Sequence, residues 1–292
     1  MRIGIHSTGI GPESVPFMQR LFSLLQDSRV GLSIQSEFAS SLQEKGVTLP
    51  EHHRFLDHEG LKEEIDMLFS IGGDGTFLST LPLVRDSGIP VLGINTGRLG
   101  FLAYVSSDEI ESSIGAVLDG RYSIKERSVL GIDAEPSVFG ETTYALNEVA
   151  VHKKDSSSMM IIHIFADGAP LASYWADGII VSTPTGSTGY NLSCGGPIAA
   201  PNVDCLIVTP KAPHNLTLRP IVLKDDVVLG MRVESRDDQF LLSMDSLSES
   251  CSTQTQVSIQ KAGFPLRIVR PEGSSFFKTV REKLNWGADI RN

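Results

Sequence analysis

Met67-Leu-Phe-Ser-Ile-Gly-Gly-Asp-Gly-Thr76 decides how the chain is read. Met67 to Ile71 is a short apolar run with the length of a buried strand. It stops at Gly72-Gly73-Asp74-Gly75-Thr76, and a second apolar run opens at Phe77-Leu78. Glycines around one acid permit φ > 0 and leave several N–H groups exposed at a strand's carboxyl end. Ligands of open α/β sheets bind at such ends. Phosphate fits a loop of this kind, and the acid is placed to meet a hydroxyl. Gly and Asp are also ordinary turn residues, so the same stretch describes a plain tight turn.

Outward from this loop, strand and helix signals alternate. Ile3-Gly4-Ile5 is a short strand, and Val30 to Ile34 a second. Between them, Val15, Met18, Leu21, Phe22 and Leu25 make a helical stripe. Thr76 to Arg85 is predicted as one helix, followed by a strand over Pro90 to Ile94. Ser107 to Leu118 is a further helix, with Asp108, Glu109 and Glu111 near its positive end. This alternation implies a mostly parallel sheet.

After Gly120 the texture changes to short β runs separated by turn signals. Met160 to Phe165 and Leu171 to Trp175 flank Asp167-Gly168, a hairpin pattern. Cys205 to Thr209, Ile221 to Leu223, Val227 to Val233, Phe240 to Met244 and Val257 to Ile259 continue the series. The expected fold is an α/β N-terminal domain with a mostly parallel sheet, plus an all-β C-terminal sandwich-like domain. The expected division is 1–120 for the α/β domain with the glycine loop, 121–270 for the β-rich domain, and 271–292 for a tail. The tail's helix, Phe276 to Leu284, can pack back on the first domain.

Composition narrows the function. A net charge of −10 with no basic run excludes a nucleic-acid footprint. Anionic cofactors remain accessible, because loop N–H groups supply local positive potential. Cys194, Cys205 and Cys251 are widely spaced and make no Cys-x-x-Cys pair, which argues against zinc and against a disulfide framework. A reducing cytoplasm is the expected location. The N-terminus opens directly on a strand, so no signal peptide is expected, and no apolar stretch spans a bilayer.

Three further stretches carry chemistry. Asn95-Thr-Gly-Arg-Leu-Gly-Phe-Leu102 follows a strand directly; its glycines permit close approach, and Arg98 can face a phosphate or stand solvated. Asn147-Glu148 lies between apolar residues, where an amide and a carboxylate can read a base edge and a ribose diol, or simply end a strand. The run from Asp177 to Pro197 opens from the strand Ile179-Ile180-Val181 into small hydroxyl residues and glycines. Thr185, Ser187, Thr188, Gly189 and Ser193 offer donors with little bulk, and Tyr190 can stack on a ring. The run holds neither a Walker Gly-x-x-x-x-Gly-Lys-Ser/Thr nor a Gly-x-Ser-x-Gly elbow. Gly9-x-Gly11 lacks the third glycine of a dinucleotide fingerprint, and His52, His53 and His58 read as a solvated loop rather than a metal site.

Gly-Gly-Asp-Gly-Thr resembles the signature shared by NAD kinases and by the diacylglycerol and sphingosine lipid kinases. A related Gly-Gly-Asp-Gly occurs in phosphofructokinases. All of these transfer phosphoryl groups to an alcohol. The four stretches together, in this order and followed by Pro213-His-Asn-Leu-Thr-Leu-Arg-Pro220, resemble the NAD kinase family specifically. Gly189 stands where that family usually has Ala, and Asp245-Ser246 where it has Asp-Gly in a turn.

The resemblance implies ATP-dependent phosphorylation of the adenosine 2′-hydroxyl of NAD to NADP. Polyphosphate in place of ATP, and NADH in place of NAD, stay open. Asp74 is the implied catalytic base, with Gly72, Gly73, Gly75 and Thr76 holding phosphates. Mg²⁺, or another divalent cation, would ride on the nucleotide phosphates, with no protein metal ligands expected. Asn147, Thr188 and Gly189 would contact the adenylyl half, and Glu148 a ribose hydroxyl. Tyr190 and Ser193 would line the same pocket. Asp177 would face the nicotinamide half, contributed by a neighbouring subunit of a homodimer or homotetramer. The alternatives are a lipid kinase, which needs an apolar acceptor groove, and a non-catalytic NAD(P) sensor, which needs no base at Asp74.

Overall fold

The structure, a computed structural model, describes residues 1–97, 100–140, 142–154, 159–272 and 275–287. It divides into two compact units, Met1–Glu126 with Leu266–Asn292, and Arg127–Pro265.

The first unit opens with strand β1 (Arg2–His6), helix α1 (Val15–Asp27), β2 (Gly31–Gln35), α2 (Ser36–Glu44) and β3 (His53–Phe55). It continues through β4 (Met67–Ile71), α3 (Asp74–Leu78), α4 (Leu81–Val84), β5 (Val91–Asn95), β6 (Val105–Ser106), α5 (Ile110–Leu118) and β7 (Tyr122–Arg127). The helix predicted over Thr76–Arg85 is therefore two short helices. Pro82 lies in the first turn of α4 and has no N–H to donate to the preceding turn. Arg85, at φ 41°, then ends α4. Nothing in the sequence reading announced α2 and β3. The helix buries only Phe38, Ala39 and Leu42, and the strand has only Phe55 inside.

The second unit contains β8 (Leu130–Glu135), β9 (Tyr144–Ala145), β10 (Glu148–Lys153), β11 (Met160–Ala166), β12 (Ala169–Trp175) and β13 (Gly178–Ser182). Then come α6 (Tyr190–Ser193), β14 (Cys205–Lys211), β15 (Ile221–Lys224), β16 (Leu229–Ser235), β17 (Gln239–Met244), β18 (Leu247–Ser252) and β19 (Gln256–Lys261). The chain returns to the first unit with β20 (Leu266–Pro271) and α7 (Phe276–Leu284). A boundary at residue 270 thus falls inside a strand of the first unit's sheet.

That sheet runs β3-β2-β1-β4-β5-β20-β7, with β6 beside β5. β1 is parallel to β2 and β4, β4 to β5, and β5 to β20. Its two faces differ. Ile3, Ile5, Ile34, Met67, Phe69, Leu92 and Ile94 point one way, into a core with Met18, Leu21 and Leu25 of α1 and Ile110, Ile114 and Val117 of α5. On the other face, register aligns His6 with Ser70 and Ser70 with Gly93 at the carboxyl ends. β2 and β4 flank β1 on opposite sides, so the crevice at the carboxyl ends of β1 and β4 is a topological switch point. The glycine loop follows β4 there.

The second unit is a two-sheet β structure, ordered β15-β14-β13-β10-β17-β18 and β12-β11-β16-β19-β8-β9. Its strand pairs among the described residues are antiparallel, for example β10 with β13 and β17. Val149, Val151, Ile179, Val181 and Leu242 of one sheet share a core with Ile162, Ile164, Met231, Val233 and Ile259 of the other. Asp167 (φ 49°) and Gly168 (φ 81°) turn the β11–β12 hairpin, as two left-handed residues in a two-residue loop should. No helix among the described residues is long and apolar enough to cross a membrane.

Gly93 is the tightest point where the sheet meets the loop that follows β5. A Cβ there would sit 2.7 Å from Ala103 Cα and 2.9 Å from the Leu102 carbonyl oxygen. Both obstacles are backbone, so they cannot rotate away. Gly93→Ala is expected to destabilise the protein by about 1–3 kcal/mol. Urea unfolding would show this as a lower midpoint with an unchanged slope.

Candidate functional site

In the first unit the glycine loop is built around Asp74 and Thr76. Gly72 has φ 148°, and a Cβ there would lie 2.5 Å from Thr76 Oγ1. Its N–H already donates to the Ile94 carbonyl at 2.9 Å, so Gly72 supplies space rather than a free donor. Gly73 and Gly75 are exposed. Thr76 is only 9% exposed, and its hydroxyl bonds that of Thr8 at 2.8 Å. Thr8 went unrecognised in the sequence; its one signal is a hydroxyl just past the end of β1.

Asp74 opens α3 and is clasped by the stretch after β5. Phe101 N donates to Oδ2 at 2.7 Å, and Leu102 N and Ala103 N donate to Oδ1 at 3.0 and 3.2 Å. A Cβ on Gly100 would come within 1.8 Å of Oδ1, so only glycine fits there. The stretch beginning at Asn95 therefore has a structural partner, the carboxylate of Asp74. Asn95 Oδ1 accepts from Gly97 N at 2.6 Å and shapes the turn. Arg98 lies outside the described residues.

In the second unit Asp245 plays the same part toward Asn147-Glu148. Leu146 N donates to Oδ2 at 2.8 Å; Asn147 N and Glu148 N donate to Oδ1 at 2.9 and 3.1 Å. The Asn147 carbonyl accepts from Thr183 N at 2.9 Å, and a Cβ on Gly186 would lie 2.1 Å from that oxygen. The loop after β13 is thus pressed onto Asn147. Its hydroxyls mostly hold the loop itself. Ser187 is 0% exposed; its Oγ donates to the Pro184 carbonyl at 2.7 Å and accepts from Ala199 N at 3.0 Å. Asn191, also buried, donates to the Ser187 and Pro197 carbonyls and accepts from Thr209 Oγ1 at 2.6 Å. Thr185 Oγ1 is buried with no hydrogen-bond partner. Thr188 and Tyr190 are half-buried, and Ser193 is exposed.

A cavity of about 410 Å³ lies here, lined by Glu148, Ala150, His152, Tyr190, Ser243 and Asp245. Burial pushes the Glu148 carboxyl up to about 8; the nearby Asp245 charge adds to the rise, and a Tyr190 backbone hydrogen bond opposes it. Glu148 Oε2 is buried without a partner. Burial also brings His152 down to about 4, helped by the Lys211 charge. The His152 and Tyr190 rings are 5.5 Å apart, with Lys211 Nζ 5.6 Å from the Tyr190 ring centre. His152 and Lys211 drew no attention in the sequence, since a lone His on a strand carries no pattern. Asp177 is ion-paired with Lys153 at 2.7 Å and is not among the lining residues.

Two details revise the expected departures. The left-handed residue of the β17–β18 turn is Asp245 (φ 49°), not Ser246, so Ser in the second position is no strain. A Cβ on Gly189 would lie 3.1 Å from Glu148 Oε2 and 3.3 Å from the Gly186 carbonyl. Gly189 therefore leaves Glu148 room. His58, expected in a solvated loop, is instead buried and bonded to the Leu83 carbonyl at 2.9 Å. Among the described residues no group of three His, Cys, Asp or Glu is arranged to hold a metal.

The raised Glu148 carboxyl makes a pH prediction. Its ordinary value is 4.5 and its folded value about 8, so between these the folded state holds the extra proton. Stability is then greatest below the ordinary value and falls as pH rises toward the folded one, by at most about 1.4 kcal/mol per pH unit. Glu148→Gln should remove this slope, leaving the variant more stable than the parent near pH 8 and little different near pH 4. Urea midpoints measured across that range check it; parallel curves for the two proteins would refute the shift.

The chain matches the ATP-NAD kinase N-terminal domain over residues 3–122 and the ATP-NAD kinase C-terminal domain over residues 146–271. It is 42% identical to an NAD kinase of Flavobacterium johnsoniae over 294 residues, covering 100% of both chains. It is 44% identical to an NAD kinase of Bacteroides fragilis over 271 residues, 93% of each. Among solved structures, yeast NADH kinase complexed with NADH shares the fold with a TM-score of 0.88 at 23% identity, covering 100% of this chain and 89% of that one. An NAD kinase from Archaeoglobus fulgidus in complex with ATP gives a TM-score of 0.76 at 25% identity, covering 98% and 99%. The sequence motifs, the paired α/β and β units and these full-length likenesses agree: the chain belongs to the ATP-NAD kinase family.

Proposed function

We propose that this enzyme transfers the γ-phosphoryl group of ATP to the adenosine 2′-hydroxyl of NAD, giving NADP and ADP. The observation that carries the reading is the state of Asp74. A carboxylate offers about four lone-pair sites. Three are filled by Phe101, Leu102 and Ala103 N–H groups, two on Oδ1 and one on Oδ2. One site on Oδ2 remains, on a carboxylate that is held in place. Oδ2 takes the 2′-hydroxyl proton as the ribose oxygen bonds to phosphorus and the bond to the ADP oxygen breaks.

Thr76 and the exposed Gly73 and Gly75 face the phosphates, with Gly72 making room and Arg98 opposing their charge. ATP as donor is supported by the Archaeoglobus fulgidus relative, whose structure contains it. Mg²⁺, or another divalent cation, would neutralise the triphosphate from its phosphate oxygens.

In the second unit Asn147, Thr188 and Gly189 contact the adenylyl half, and Glu148 a ribose hydroxyl. Tyr190 and Ser193 wall the same pocket, Thr185 can offer its unpartnered hydroxyl, and Ser187 keeps the loop in shape. Asp177 serves the nicotinamide half of a neighbouring subunit's ligand, which requires a homodimer or homotetramer. The glycine loop's likeness to diacylglycerol and sphingosine lipid kinases reflects the same attack of an alcohol on phosphorus.

Formation of NADP from NAD, ATP and Mg²⁺ tests the activity directly. Asp74→Asn cannot take a proton at neutral pH, and its NH2 also replaces an acceptor of at least one N–H among residues 101–103. It should lower single-turnover NADP formation by about 10²–10⁴-fold while calorimetric NAD affinity changes only several-fold. Near-parental turnover rules out Asp74 as base. Joint loss of turnover and binding makes it a ribose-positioning group instead. The assembly role of Asp177 has its own check: light scattering on a fully active sample should show at least a dimer, and an active monomer removes that role.

A further inference from the structure

His6 is 4% exposed at the end of β1, on the sheet face that also carries Ser70 and Gly93. An apolar side chain would fill this place as well as those on the opposite face do. The imidazole instead uses both nitrogens. Nδ1 shares a hydrogen bond with Gln35 Oε1 at 2.6 Å, and Nε2 shares one with Ser79 Oγ at 2.8 Å. Burial, opposed by the Gln35 bond, lowers the ring's pKa from its ordinary value. A neutral ring has one donor and one acceptor, and both are engaged.

Ser79 is the residue that ends α3, the helix that Asp74 begins. Its Oγ also lies 2.7 Å from the Thr76 carbonyl, so its one proton goes either to that oxygen or to His6 Nε2, while Thr76 Oγ1 bonds Thr8. A continuous chain of polar contacts thus runs from Gln35 through His6 and Ser79 to Thr76 and Thr8. Helix α3 has 5 residues, far too few to hold itself as a helix in water. It is fixed at its start by the Asp74 carboxylate on residues 101–103, and at its end by Ser79 on His6.

We propose that His6 is a positioning residue for phosphoryl transfer: through Ser79 it sets the placement of the short helix that presents Asp74 and Thr76. The proposal rests on the kinase reading above. It does not require His6 to touch either substrate. Losing the link lets the far end of α3 shift, and misplacement of a reacting group by about 1 Å can lower rates about 10²-fold.

The test compares His6→Gln, whose amide can reach the Nε2 position, with His6→Asn, which reaches only the Nδ1 position. His6→Asn should lower kcat by about 10- to 100-fold with KM for NAD within about threefold. His6→Gln should recover most of that kcat while losing similar thermal stability. Ser79→Ala should reproduce the kcat loss, and the His6→Asn/Ser79→Ala double variant should lose no more than either single one. If His6→Asn does not fold, Ser79→Ala carries the test alone, and a kcat equal to the parent's overturns the proposal. Equal kcat losses in the Gln and Asn variants, tracking their stability, also overturn it. An active parent with fully active His6→Asn refutes only His6's role, whereas a parent that forms no NADP refutes the kinase reading itself.

Discussion

A carboxylate that gathers three consecutive backbone N–H groups is the interaction on which both halves of this protein depend. Asp74 holds residues 101–103 in the first unit, and Asp245 holds residues 146–148 in the second. In each case the three donors belong to a stretch where a loop meets a strand, and would otherwise need water or a ligand. Charge-assisted bonds of this kind are roughly twice as strong as neutral ones. Each acid therefore fixes a segment of backbone at a candidate site. Asp74 also demands room around it: a Cβ on Gly100 would come within 1.8 Å of its Oδ1.

The two acids differ in what the arrangement leaves over. Asp74 is half-buried, and its three N–H donors leave one of its lone-pair sites, on Oδ2, unfilled by them. Asp245 is deep, and its charge falls on Glu148, lifting a carboxyl already raised by burial. At about 8, the Glu148 carboxyl is protonated at neutral pH. Protonated Glu148 can donate as well as accept, which suits a hydroxyl that does both. Within the second unit, then, the scaffold that orders Asn147-Glu148 also tunes its chemistry.

Much of this was legible in the chain itself. Met67–Ile71 is a strand with the bounds its apolar run suggests, since a fully buried parallel strand is apolar throughout. Asp167-Gly168 announced its hairpin through residues that tolerate φ > 0. Other elements left weaker traces. β18, Leu247–Ser252, buries only Cys251, so no alternation marks it. α3 and α4 look like one periodic helix until Pro82 is given its missing N–H. For the site, motif residues stood out because glycine and hydroxyl clusters are rare outside loops with a purpose. Their supports did not. Thr8, His6 and Ser79 are common residue types brought to the motif by register and topology, which a linear pattern does not encode.

The β17–β18 turn shows how such a support works where pattern alone suggests strain. Its sequence, Asp245-Ser246, lacks the glycine that a left-handed second position would need. The structure puts the left-handed conformation on Asp245 instead, at φ 49°. Asp is among the few non-glycine residues that adopt it readily. That conformation is also tied to the hydrogen bonding, for Asp245 N donates to the Glu148 carbonyl at 3.0 Å while its carboxylate accepts from Glu148 N. Main chain and side chain thus bind the same residue from both sides. The conformational penalty, of order 1 kcal/mol, is offset by the three backbone N–H bonds that the acid accepts. Glycine at position 246 is then unnecessary, because the constraint that fixes this turn acts one residue earlier, on the acid that builds the pocket.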